Sequence, residues 1–128
     1  MSYSDIEHKE LYKKQLMDHF KSPYNNKELK NPDMYKQCAN AMCGDSVSVY
    51  IRLSDNTRAD ITFQGAGCII SQASASIMCQ AYEGWTIEKI CQQTEQDMLN
   101  KVHMSLRSSR KECALLAFKC LQQLLCKR

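Results

Sequence analysis

Cys43 in Cys43-Gly44-Asp45, Cys68 after Gly65-Ala66-Gly67, and Cys113 at the opening of an apolar helical segment are the residues best placed for soft-metal or sulfur chemistry. The second and third are predicted at helix N-termini, where unpaired backbone N–H groups and the helix dipole favour negative charge. Such a setting lowers a cysteine pKa from about 8.5 toward the range where the thiolate is available. Asp45 shares a tight Gly-containing turn with Cys43 and is the natural fourth ligand of the set. Zn²⁺ would sit tetrahedrally at about 2.3 Å from each sulfur, and iron would use the same thiolates. Arg110, three residues before Cys113, could offset part of the excess negative charge.

The same residue type has a plainer use, because free cysteines are among the most buried residues and act as small hydrophobes. Cys79, Cys91, Cys120 and Cys126, all on helical segments, are read that way. Cys38 reads as a strand or loop filler, with a fourth thiol near Cys43 as its alternative. His8 and His19 lie on or beside charged stretches, where a solvated imidazole is the default, and the neighbourhood of His103 gives it no assignment. No Ser/His/Asp order, phosphate loop or paired-carboxylate motif stands out, so hydrolase chemistry has no support.

Positioning these residues falls to elements that the hydrophobic pattern defines. Ile6, Leu11, Leu16 and Phe20 among charges predict an amphipathic helix from 5 to about 20, closed by Lys21-Ser22-Pro23. A short extended stretch is predicted from Tyr35 to Met42. Val47, Val49, Ile51 and Leu53 alternate with polar neighbours, as do Ala59, Ile61 and Phe63, which predicts two antiparallel strands joined at Ser54-Asp55-Asn56-Thr57. Cys43 precedes the first of these strands and Cys68 follows the second, so a hairpin brings them together despite their separation. Helices are predicted from Ile69 to Glu83 with a small Ala73-Ser74-Ala75-Ser76 centre, after an N-cap at Thr86, and from about 111 to 126. Residues 95 to 105 are ambiguous. The fold class is α+β: a small antiparallel sheet of two to three strands with helices on one face.

The chain has 128 residues, 44% hydrophobic, which suits one compact domain over 1–128 with a modest core. Eight cysteines without a secretory signal read as reduced intracellular thiols, so a cytoplasmic location is expected. No apolar run approaches the ~20 residues of a membrane span. A net charge of +3 with scattered Lys and Arg does not support a nucleic-acid surface.

Taken in order, these motifs resemble the NifU/IscU/SufU family of iron–sulfur cluster assembly proteins over nearly the whole chain. Asp18-His19-Phe20-Lys21-Ser22-Pro23-Tyr24-Asn25 is similar to the family's Asp-His-(aromatic)-x-x-Pro-x-Asn signature. Cys43-Gly44-Asp45, Gly65-x-Gly67-Cys68 and Cys113 resemble its three site motifs. Ile70-Ser71-Gln72-Ala73-Ser74-Ala75-Ser76-Ile77-Met78 and Arg110 resemble the SufU-like branch, whereas the short spacing from Cys68 to Cys113 resembles the scaffold branch. Glu112 stands where that branch has a histidine. Leu106-Arg107-Ser108-Ser109-Arg110 keeps only the leucine and the terminal charge of its chaperone motif, so recognition by the Hsp70-type chaperone is doubtful.

The resemblance implies a SufE/NifU-like sandwich that accepts persulfide sulfur from a cysteine desulfurase. A transient [2Fe–2S] cluster would be built on Cys43, Cys68 and Cys113 and passed to recipient apo iron–sulfur proteins, with zinc held there in its absence. Cys113 or Cys43 would accept the sulfur and Arg110 would stabilise the charge. The expected state is a monomer or weak homo-oligomer. The runner-up is a zinc-dependent sulfurtransferase of the SufU type, and a zinc-stabilised interaction module ranks third.

Overall fold

The structure is a computed structural model and describes residues 13–126. Expectations placed on Ile6, His8 and Leu11 therefore lie outside the described residues. A helical segment at 13–21 (α1) buries Leu16 and leaves Met17 and Phe20 partly exposed. Three strands follow: β1 (Met34–Asn40), β2 (Asp45–Ser54) and β3 (Arg58–Ala66). They form one antiparallel sheet in the order β1-β2-β3.

The alternation read from the sequence is the alternation observed. Val47, Val49, Ile51, Ala59, Ile61 and Phe63 are all buried on the helix-covered face. The stretch predicted from Tyr35 to Met42 is a full strand that ends at Asn40 and turns through residues 41–44 into β2. Its inward positions are Met34, Lys36, Cys38 and Asn40, too polar to display a clear alternation in sequence.

Four helices complete the chain's order: α2 (Ile69–Ala81), α3 (Ile87–Cys91), α4 (Glu95–Lys101) and α5 (Lys111–Leu125). Thr86 caps α3 by accepting from Lys89 N, as expected. The ambiguous 95–105 stretch contains α4, started by a capping box between Thr94 and Asp97. α5 lies across β1 and β2 and against α2, burying Leu115, Phe118 and Leu121. The Ala73–Ser76 centre of α2 is fully buried, because small side chains let this helix approach both α5 and β3 closely. The result is the α+β arrangement expected, a three-stranded antiparallel sheet covered by helices on one face.

The sequence reading of His19 as solvated is corrected. Its Nδ1 lies 2.7 Å from Ser76 Oγ on the buried face of α2, and Ser76 Oγ also accepts from Tyr24 N at 2.7 Å. Ser76 Oγ keeps a second lone pair and its own proton, so His19 Nδ1 donates or accepts there according to its tautomer. Burial lowers the His19 pKa below the ordinary 6.5, against the opposing pull of Asp18. A lowered folded-state pKa means that the unfolded chain binds more protons between the two values. Stability from this contact is thus complete above pH 6.5 and lost as pH falls below it. Urea unfolding at pH 7 and pH 5 checks this: His19→Gln flattens the pH dependence of the midpoint. The same loop is pinned to β3, where Asn25 Nδ2 donates to Ile61 O and Phe63 N donates to Asn25 O, both at 3.0 Å.

Two cysteines depart from the expectation of reduced thiols. Cys91 and Cys126 form a disulfide with a Cα–Cα separation of 5.6 Å, linking the end of α3 to the residue after α5. They are 35 residues apart, so nothing in local spacing marks them as partners. Gln122 supports the same junction, donating to Ile90 O and Gln93 O. The other six cysteines are free.

Candidate metal centre

Both ends of the β2–β3 hairpin meet at one edge, with Ser46 opposite Ala66. The β1–β2 turn comes to the same edge, since Asn40 pairs with Asp45. Gly44, at φ +67°, lets the chain reverse between Cys43 and Asp45. Asn40 holds that turn: Cys43 N donates to its backbone oxygen at 3.2 Å, and its side-chain Nδ2 donates to Cys43 Sγ at 3.5 Å. Asn40 was not among the candidate residues, although an Asn three residues before a Cys-Gly pair is a turn signal.

Cys68 is the N-cap of α2 and its sulfur accepts from Ser71 N at 3.5 Å, so its predicted place at a helix N-terminus is observed. Gln72 lies against the end of β3, and with its amide turned so that both atoms find partners it donates to Gly65 O and accepts from Ala66 N. Cys113 lies in the first turn of α5, which starts after Arg110.

Asp45 organises the centre. It is 2% exposed, and its two oxygens divide between the backbone and the sulfur of Cys68, with Oδ1 accepting from Cys68 N at 2.8 Å and Oδ2 3.7 Å from Cys68 Sγ. Cys113 Sγ is 2.9 Å from Cys43 Sγ. Ligand atoms of Cys43, Asp45 and Cys113 lie within 4.8 Å of one another; the fourth expected ligand, Cys68, falls outside that group and touches it at Asp45 Oδ2. No histidine belongs to this cluster among the described residues.

The electrostatics correct one expectation. Cys113 was expected to have a lowered pKa, but burial, then hydrogen bonds to Cys43 and Asp45 and the charge of Cys68, push its thiol up to about 12. Arg110 pulls the other way. The guanidinium is in turn held more firmly protonated by its hydrogen bond to Cys113 and by the field of Cys68, Cys113 and Cys43. Helix position alone is outweighed by burial and then by crowding: sulfurs this close share protons rather than ionise together. A cation that replaces those protons relieves the crowding, and three sulfurs with one carboxylate are a donor set suited to Zn²⁺ or iron. In chemical fit the residues present match such a group.

The surroundings are apolar and open. Met42 is 96% exposed beside Cys43, and Ile69 and Leu106 are also exposed beside Cys68 and in the segment before Arg110. The 105–110 segment is a run of turns in which Ser105 and Ser108 side chains accept from Arg107 N and Arg110 N. No helix among the described residues is long and apolar enough to cross a membrane.

Comparison with known proteins agrees with this geometry. The chain is 41% identical over 78 residues to the zinc-dependent sulfurtransferase SufU of Bacillus subtilis, covering 61% of this chain and 52% of that protein. It is 31% identical over 107 residues to the iron–sulfur cluster assembly scaffold protein IscU 1 of Archaeoglobus fulgidus, covering 84% and 69%. The chain thus spans about half the length of the first relative and about two thirds of the second. Among solved structures, the SUF-system scaffold protein of Fervidobacterium islandicum AW-1 superposes with a TM-score of 0.75 at 26% identity, covering 87% of this chain and 93% of that one. The family model described as the NifU-like N terminal domain matches residues 11–127. With that match across its sheet, helices and cysteine-bearing rim, the chain belongs to the NifU-like N-terminal domain family.

Proposed function

We propose that the chain is an iron–sulfur cluster assembly scaffold that takes sulfur from a cysteine desulfurase and holds a nascent [2Fe–2S] cluster for delivery to apo-proteins. The observation that carries this reading is the convergence of Cys43, Asp45 and Cys113 within 4.8 Å, with Cys68 on the same carboxylate. A cargo site must hold iron and sulfide yet release them. Soft sulfurs supply the hold, and a single hard oxygen among them is the ligand most readily exchanged.

Sulfur transfer is a thiol exchange. A thiolate of this chain attacks the outer sulfur of the desulfurase persulfide, a new S–S bond forms, and the desulfurase cysteine leaves as thiolate. Access separates the two candidate acceptors: Cys113 is 1% exposed, whereas Cys43 is half-buried on a turn. Cys43 is therefore the acceptor in this proposal, with Arg110 balancing charge as the persulfide forms. Each transferred sulfur needs two electrons from an external reductant, such as a dithiol or an electron-carrier protein, to become sulfide.

Anaerobic incubation with ferrous iron, cysteine and a desulfurase tests the reading. The expected result is visible charge-transfer absorption that Cys68→Ala abolishes. Absence of that absorption, with Cys68→Ala behaving as the parent, rejects the scaffold.

The zinc-dependent sulfurtransferase is the second reading, favoured by the identity to the Bacillus subtilis protein and by Arg110 against the thiols. It expects stoichiometric zinc in purified protein and stimulated desulfurase turnover without a stable cluster. In either case the residues that would hold zinc are Cys43, Asp45, Cys68 and Cys113. Asp45→Ala weakens zinc binding about 10-fold or more, as read by competition with a chromophoric chelator, because it removes a ligand and leaves Cys68 N without its acceptor.

A further inference from the structure

α5 carries Cys113 and Cys120 seven residues apart, two turns along the same helix, and each faces a cysteine from the β1 side of the sheet. Cys113 meets Cys43 in the candidate centre. Cys120 shares a cavity with Cys38, which no part of the proposed function uses. Cys38 lies on the inward face of β1 with Lys36 and Asn40. Its Sγ is 4.0 Å from Gln123 Oε1, one turn beyond Cys120 on α5. Cys120 Sγ is 3.6 Å from Lys36 O on β1. Both thiols line one cavity of about 400 Å³, together with Asn40, Glu112 and Lys119. Within the pair the roles differ. Cys120 is fully buried, and burial followed by a hydrogen bond to Cys38 keeps it a neutral thiol. Cys38 is half-buried and faces the cavity.

We propose that Cys38 and Cys120 form a second dithiol, separate from the metal centre, which hydrogen peroxide converts to a disulfide tying β1 to α5. Cys38 is the attacking group because it is the thiol that a small oxidant entering the cavity reaches. Its thiolate attacks one peroxide oxygen, the O–O bond breaks, and hydroxide leaves and takes up a proton as water. Cys120 sulfur then attacks the Cys38 sulfenic sulfur: the S–S bond forms, the S–O bond breaks, and the departing hydroxide takes the Cys120 proton as a second water. Two thiols lose two electrons and two protons to one peroxide, so the step balances. The link would brace two elements that lead to the centre, since β1 runs into the turn bearing Cys43 and the first turn of α5 carries Cys113.

Peptide mapping of the full chain after peroxide treatment tests this without reference to metal loading. Trypsin with chymotrypsin cuts after Leu121, which separates Cys120 from Cys126. A peptide pair linked through Cys38 and Cys120, located by fragmentation, is expected. Trapping with dimedone should give about tenfold more Cys38 adduct in Cys120→Ala than in the parent, because the sulfenic acid has lost its resolving thiol. The parent map is decisive even if that variant does not fold. Cys38 linked to Cys43 instead, Cys38 carried to the sulfinic acid with Cys120 still alkylatable, or equal dimedone labelling of the two proteins overturns the proposal.

Discussion

Gly67→Ala destabilises the protein by about 4 kcal/mol and abolishes metal binding, a larger effect than any other single methyl group at the rim should have. The backbone there has φ +136°, a region that L side chains rarely adopt. A Cβ at this position would sit 2.2 Å from Asp45 Oδ1 and 2.8 Å from Asp45 Cα. Asp45 has nowhere to retreat, since it is buried and bonded to the N–H of Cys68. The methyl therefore displaces the carboxylate and the cap of α2 together. Gly44→Ala is the control: its φ is +67°, and nothing lies within 4 Å of the added carbon. That variant pays only the left-handed backbone cost of about 1 kcal/mol. Urea unfolding of the two variants beside a zinc titration measures the contrast, and similar losses in both would show that the close approach at Gly67 is unimportant.

Cys91→Ser with Cys126→Ser lowers stability by about 3–4 kcal/mol, the chain-entropy value for cross-linking residues 35 apart. Because Gln122 still bridges to Ile90 and Gln93, α5 remains docked and the native sheet is retained. A phosphine reductant should lower the urea midpoint of the parent to that of the double variant and leave the variant unmoved. A midpoint insensitive to reductant would mean that the bond is not formed in solution.

How far these features could be read from sequence depends on the distance over which each is determined. β2 and β3 announce themselves because Val47, Val49, Ile51, Ala59, Ile61 and Phe63 alternate within single short segments. Cys68 as an N-cap is equally local, set by the Gly65-Ala66-Gly67 break before a helical run. β1 is less clear, since Lys36, Cys38 and Asn40 occupy inward positions beneath α5 and erase the apolar alternation. α4 hides behind a capping box built with Asp97 where Glu or Gln is usual.

His19 reads as solvated because Asp18 and Lys21 flank it nearby, whereas its partner Ser76 lies 57 residues away. The disulfide shares that origin, being a meeting of two helix ends decided only by tertiary packing. Around the centre, the four candidate ligands could be named from their turns and helix starts. The rise of the Cys113 pKa could not, because the burial that causes most of it and the contacts with Cys43 and Asp45 are set by tertiary packing.

The donation of Cys113 by α5 also fixes when the rim can be completed during biosynthesis. Cys43, Asp45 and Cys68 leave the ribosome well before α5, whose Leu115, Phe118 and Leu121 form the floor on which the sheet rests. The proposed centre of a nascent chain would therefore lack both its last thiol and its supporting layer. In the proposed centre, a cation would be held fully only once α5 has docked.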